Sequence, residues 1–174
     1  MSDLLINRVA QSGLITLDLE NWLPEAPQVH FDIKDYLFQG LILREKDFRE
    51  ALKQYDWQSL EGKILLLYNS SDAIIPMWAY MLVTSLATPY VADLYQGDSA
   101  TFYDMWYRQV ADKLDTESYR DKRVVIKGCG SGKVPASAYA YITRVLRPVC
   151  KSIMFGEPCS TVPVFKAPAS GQKN

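Results

Sequence analysis

Between residues 63 and 156 the sequence alternates short apolar runs with longer segments of helical period, and no other feature constrains the fold so tightly. Residues 63–69 (KILLLYN), 90–96 (YVADLYQ), 123–127 (RVVIK) and 151–155 (KSIMF) are short, apolar and bounded by turn residues, as buried parallel strands are. Between them, residues 73–87, 101–114 and 135–146 carry apolar side chains at helical spacing. Strand, helix and strand repeated in this way predict parallel strands joined by right-handed crossovers. Upstream, residues 14–19 and 40–44 read as further strands and 45–55 as a helix. The expectation is a single α/β domain over residues 1–166. Its architecture would be a three-layer α/β sandwich with a mostly parallel, Rossmann-like sheet and helices on both faces. A polar tail, expected to be mobile, follows over 167–174. No internal repeat stands out by eye, and no linker divides the chain.

Of 174 residues, 48% are hydrophobic, which suffices for a substantial core, and the net charge of −1 gives no global field for nucleic acid or an anionic membrane. The aromatics fall mostly on predicted helices with no basic stripe beside them, so a stacking platform for nucleic acid is rejected. The N-terminus lacks the basic and apolar regions of a signal peptide, and the apolar stretch over 73–87 is too short to span a membrane. The expected location is cytoplasmic, with no membrane partner and with three reduced cysteines.

Ligands of open α/β sheets bind beyond the carboxyl ends of the strands. The loops predicted there are Asn69-Ser70-Ser71-Asp72, Gly97-Asp98-Ser99, Gly128-Cys129-Gly130-Ser131-Gly132 and Gly156-Glu157-Pro158-Cys159-Ser160. The third, within KGCGSGKVP, is not a phosphate loop: its spacing is one residue short, and Val134 stands where a hydroxyl is needed. Its cysteine is the feature to explain. Cys129 and Cys159 each follow a predicted strand, and if those strands are neighbours the two thiols form a candidate site, a reactive pair or metal ligands. Asn69, Ser70, Asp72, Gly128, Gly130 and Ser160 would line it. Asp72 also has a plainer role as N-cap of the next helix. Cys150 precedes its strand and is expected in the core. His30, the lone histidine, is expected at a loop-to-helix entry in a structural role. With no G-x-S-x-G elbow and no other base, a serine hydrolase is disfavoured.

Four segments, HFDIKDYLFQGLILREKDFREAL, SSDAIIPMWAYML, YRDKRVVIKGC and VCKSIMFGEPCSTVPVFK, together resemble the bacterial family catalogued as domain of unknown function 2480, over residues 6–166. The resemblance implies no established activity. It implies genes lying near those for iron–sulfur cluster assembly, an association and not a mechanism; the cofactor is left unknown, with a metal ion or an iron–sulfur cluster as the candidate that cysteines at three strand ends would suit. One departure bears on this: the resemblance implies a cysteine where this chain has Asn69, and an amide oxygen is a poor substitute for a soft ligand. Two readings remain, a thiol-centred protein using Cys129 and Cys159, and a non-catalytic module that binds a protein partner or forms a homo-oligomer.

Overall fold

A computed structural model of the chain describes residues 13–128, 130, 132–157 and 160–168. Strands β1 (Leu14–Leu17), β2 (Gln28–Asp32), β3 (Ile64–Tyr68), β4 (Asp93–Gln96), β5 (Arg123–Ile126), β6 (Ser152–Glu157) and β7 (Ser160–Lys166) alternate with helices. The helices are α1 (Glu45–Gln54), α2 (Met77–Ala87), α3 (Ser99–Lys113) and α4 (Ala136–Leu146). The mixed α/β class and the mostly parallel pairing are as expected.

The single sheet is not. The strands form two sheets, β1-β5-β6-β7 and β2-β3-β4, with separate cores. The chain divides into a split unit, residues up to Leu23 together with those from Tyr103 onward, and a continuous unit, Pro24–Phe102. Consecutive strands usually pair, and that rule misleads at two connections: β1 is followed by β2 of the other sheet, and β4 leads through α3 to β5, back in the first.

The two units are copies of one pattern, which overturns the reading that the sequence has no repeat. Residues 48–97 align without gaps with residues 107–156, and residues 15–23 align with 29–37. Asp56 caps the 3-10 turn Trp57–Leu60, and Asp115 caps Thr116–Tyr119 at the matching place. Helix α2 buries Ala79, Val83 and Ala87; α4 buries Ala138, Ile142 and Leu146, the same positions. The first strands correspond too. Leu17 of β1 sits in register with Ile126 of β5, and Phe31 of β2 with Leu67 of β3. Both opening strands therefore come first in the chain. The continuous unit is then completed, and the split unit after it. The antiparallel β7 is an addition with no counterpart after β4.

Each core follows from the patterning. Ile64, Leu65, Leu66 and Leu67 of β3 are buried on both faces of their sheet, which is why that run is continuous rather than alternating. In the split unit, Tyr107 of α3 is fully buried and its hydroxyl donates to the Leu19 carbonyl at 2.7 Å, while Trp106 Nε1 donates to the Trp22 carbonyl at 2.7 Å. These two bonds tie the 3-10 turn Leu19–Trp22 to α3. Cys150 is buried among these residues, as expected of a core cysteine, and burial pushes its thiol pKa up.

The duplication supplies its own test. Gly62 has φ +70 with open space around its Cα, and its counterpart Asp121 adopts φ +58. Asparagine and aspartate tolerate this left-handed conformation, β-branched residues do not. Gly62→Asn is expected to shift unfolding stability by less than about 0.5 kcal/mol, and Gly62→Val to lower it by about 1–2 kcal/mol, read from urea denaturation. Equal losses from both would refute the equivalence.

Several boundaries differ from expectation. Residues 40–44 form no strand; Phe38 and Ile42 make an isolated bridge around Gln39 and Gly40, both at positive φ. His30 lies in β2, not at a helix entry, because residues 28–32 pair with β3. Helix α2 starts at Met77 with Pro76 at the N-cap position and no side-chain cap bond, so Asp72, separated from it by residues 73–76, does not cap it.

Candidate functional site: a glycine-lined cleft beside β5 and β6

Strands β5 and β6 are parallel neighbours, with Ile126 opposite Phe155. The loop after β5 enters a cleft of about 330 Å3 lined by Glu20, Gly128, Gly130, Gly132, Val134, Ala136, Tyr139 and Phe155. Its glycines have separate physical causes. A Cβ on Gly128 would run into the Phe155 ring, and one on Gly130 would lie 2.5 Å from a Glu20 carboxylate oxygen. Gly132 has φ +78. Phe155 is held in place by an edge-on contact with Tyr139, ring centroids 5.7 Å apart.

Next to the lining residues in the chain, Lys127 Nζ donates to Asp18 Oδ2 at 2.8 Å, and Asp18 Oδ1 accepts from the Glu20 amide at 3.1 Å. The bond from Lys127 holds the Asp18 carboxyl below the usual carboxylate range. The same bond, with the nearby charges of Glu157 and Glu20, raises the Lys127 ammonium above its ordinary value. Asp18, Glu20, Lys127, Tyr139 and Phe155 were not singled out in the sequence. The one signal for Asp18 was its likeness to Asp32, each following an apolar strand residue and preceding a 3-10 turn.

The predicted lining residues are distributed over both units. Gly128 and Gly130 line this cleft, and Ser160 opens β7, in register with Glu157. Asn69, Ser70 and Asp72 belong to the continuous unit, after β3. Strands β3 and β5 are in different sheets, so the idea of neighbouring strand ends in one sheet is corrected. Around Asn69 the loop is self-contained: its side-chain amide donates to the Ser71 and Ala73 carbonyls at 3.0 Å each, and its oxygen accepts from the Ser71 hydroxyl at 2.7 Å. Ser70 donates to Asp32 twice, from its amide at 3.0 Å and its hydroxyl at 2.5 Å. Burial pushes the Asp32 carboxyl up, but these bonds and the Lys34 amide outweigh it and hold the carboxyl low. In the alignment of the two units Ser70 stands opposite Cys129, and Asp32 opposite Asp18.

Cys129 and Cys159 lie outside the described residues. Among the described residues no group of three or more His, Cys, Asp or Glu could hold a metal ion, and no helix is long and apolar enough to cross a membrane. No curated protein and no solved structure matches the chain. The family comparison spans both units, β7 included: its model matches residues 3–167, so the chain belongs to the family described as protein of unknown function DUF2480.

Proposed function

We propose that the split unit carries a thiol site formed by Cys129 and Cys159. The observation that carries this reading is the parallel pairing of β5 with β6. Cys129 follows the end of β5 at Ile126, and Cys159 follows the end of β6 at Glu157, so both thiols come after the carboxyl ends of adjacent strands. One local charge favours the ionised form that a nucleophile or a ligand needs: the Lys127 ammonium, two residues before Cys129 in the chain and paired with Asp18.

A metal ion or iron–sulfur cluster is the extension of this reading, and the donor set for it is thin. Two thiolates fill half of a tetrahedral zinc site. Glu20, against Gly130, offers a carboxylate for a third position. Cys150 does not join them, being buried in the core just before β6.

The test is alkylation of the folded protein after anaerobic purification, with elemental analysis and a visible spectrum. Two thiols should react at least tenfold faster than Cys150, or be shielded by a bound metal. The Cys129→Ser, Cys159→Ser double variant should lose the fast reaction or the metal. If all three thiols are equally inert and no metal is present, the thiol reading fails. The interaction-module reading then stands, for which the continuous unit offers exposed Ile74, Met77 and Met81 where the split unit has Lys133, Ala136 and Ala140.

A further inference from the structure

At the amino ends of β5 and β6, away from the candidate cleft, the split unit gathers cations from separate stretches of chain. Lys122 precedes β5, Lys151 precedes β6, Lys166 ends β7 and Arg147 follows the last turn of α4. The backbone sets them side by side. The Lys151 amide donates to the Lys122 carbonyl at 2.8 Å, and the Ala167 amide to the Lys151 carbonyl at 2.9 Å, while Lys166 lies in register with Ser152. The Arg147 guanidinium lies over the Phe165 ring, 4.9 Å from its centre. All these cations are exposed, and none of them has an ion pair among the described residues. The carboxylates just before β5 are engaged elsewhere. Asp115 accepts from the Glu117 amide at 3.2 Å, and Glu117 accepts from Arg120 Nε at 2.7 Å. The Glu117 bond, and the Asp121 charge with it, raise the Arg120 guanidinium above its ordinary value.

Folding does not require this arrangement. Cations set on neighbouring strands repel, so Lys122 beside Lys151 works against the sheet end. In the continuous unit Lys63 stands opposite Lys122, but Thr88 stands opposite Arg147 and Ala92 opposite Lys151, and Lys166 has no counterpart because β7 has none. The same framework therefore stands with a single one of these charges. In a chain of net charge −1, this cluster is a local field without a described internal partner.

We propose that this end of the sheet docks an acidic segment of a partner protein, its carboxylates set on Lys122, Arg147, Lys151 and Lys166. The footprint favours a short run of carboxylates: the row spans three strands, roughly 10 Å at ~4.8 Å per step. A phosphate backbone or a lipid surface extending beyond it would meet Asp115, Glu117 and Asp121. Phe165, the ring among the cations, already carries the Arg147 guanidinium on its face and is no platform for a base. The surface is independent of the thiol reading, so the double cysteine variant should bind as the parent does.

The probe is a rhodamine-labelled hexaglutamate peptide, titrated into the full chain by fluorescence anisotropy, with a neutral Gly-Ser peptide of equal length as control. Hexaglutamate should bind saturably, one peptide per chain, and more weakly as salt is added, and the neutral peptide should not bind. The double variant Lys122→Gln, Lys151→Gln should weaken binding about tenfold without lowering the urea midpoint, because it removes a repulsion. Lys63→Gln, at the matching place in the other copy, should leave binding within about twofold, since a remote exposed charge is screened. Absence of saturable binding, or an equal loss from Lys63→Gln, overturns the proposal. A lowered urea midpoint in the double variant gives the lysines a structural role and also overturns it. Tighter binding of a single-stranded oligonucleotide, or of vesicles containing an anionic lipid, gives the surface to that class and overturns the assignment to an acidic protein segment.

Discussion

Tyr107→Ala is expected to destabilise the protein by about 4 kcal/mol, and Tyr107→Phe by about 1–2 kcal/mol, measured by urea unfolding. Tyr107 is fully buried beside Leu19, Val124 and Ile142, so truncation removes a ring's worth of contacts and leaves a cavity that helix α3 cannot collapse to fill. The phenylalanine variant isolates the hydroxyl. In the continuous unit the matching position is Phe48, also buried, so the fold accommodates an unsubstituted ring at this place. What Tyr107→Phe removes is the donor to the Leu19 carbonyl, a buried acceptor in the turn that leads to the candidate cleft. The pH dependence gives a second readout. Burial pushes the Tyr107 phenol up to about 12. A raised folded-state value means that the neutral form is favoured by folding. That contribution is fully present below the unfolded value near 10 and is lost as pH climbs toward 12. The parent should lose stability over this window, and Tyr107→Phe should lose measurably less. A phenylalanine variant as stable as the parent, with the same alkaline slope, would show that the bond contributes nothing.

The elements of this fold were largely legible, and their assembly was not. Apolar runs such as ILLL and VVI announce buried strands whatever sheet they join, and the positions buried on α2 and α4 are set by helical period alone. Which strands pair depends on contacts far apart in sequence, and here the two opening strands are stacked at the N-terminus, so β1 finds its partner only at β5. The same displacement hid the repeat. Residues 15–23 match 29–37, but 48–97 match 107–156, so no single period relates the copies. Strand β7 was missed because Pro163 interrupts it, and proline is tolerated there only because β7 pairs with β6 on one side and is an edge on the other.

The candidate site was half legible for a similar reason. Glycines and cysteines after a strand are visible in any sequence. The side chains that give those glycines their meaning, Phe155 over Gly128 and Glu20 against Gly130, come from distant segments. Between the copies, the core positions keep their character while the loops after β3 and β5 diverge: Asn69 and Ser70 stand opposite Gly128 and Cys129. The asparagine loop is closed by its own hydrogen bonds, whereas the glycine loop lines an open cleft.

Gly156→Ala should be among the most damaging single substitutions, costing about 3 kcal/mol. Gly156 sits near the end of β6 at φ +124, a conformation that an L side chain rarely adopts, and a Cβ there would lie 2.5 Å from the Ser160 carbonyl oxygen. That oxygen is backbone of the paired strand β7, where Glu157 faces Ser160, so relief requires opening the hairpin. Its counterpart Gly97, at φ +150, separates the two contributions. A Cβ on Gly97 would meet the Thr101 hydroxyl and the edge of the Tyr95 ring, both at 2.6 Å, and side-chain ends can rotate away. Gly97→Ala should accordingly cost about 1–2 kcal/mol, and Gly132→Ala, at φ +78 in open space, about 1 kcal/mol. The ranking Gly156 above Gly97 above Gly132, read from urea midpoints at constant m, is the test; a Gly156→Ala midpoint within error of the parent would refute it. The hairpin also connects through Cys159, so on the thiol reading Gly156→Ala should change the alkylation rate of that cysteine. Cys150, packed in the core before β6, should remain unreactive in the folded variant and reports whether any change at Cys159 is local or merely global unfolding.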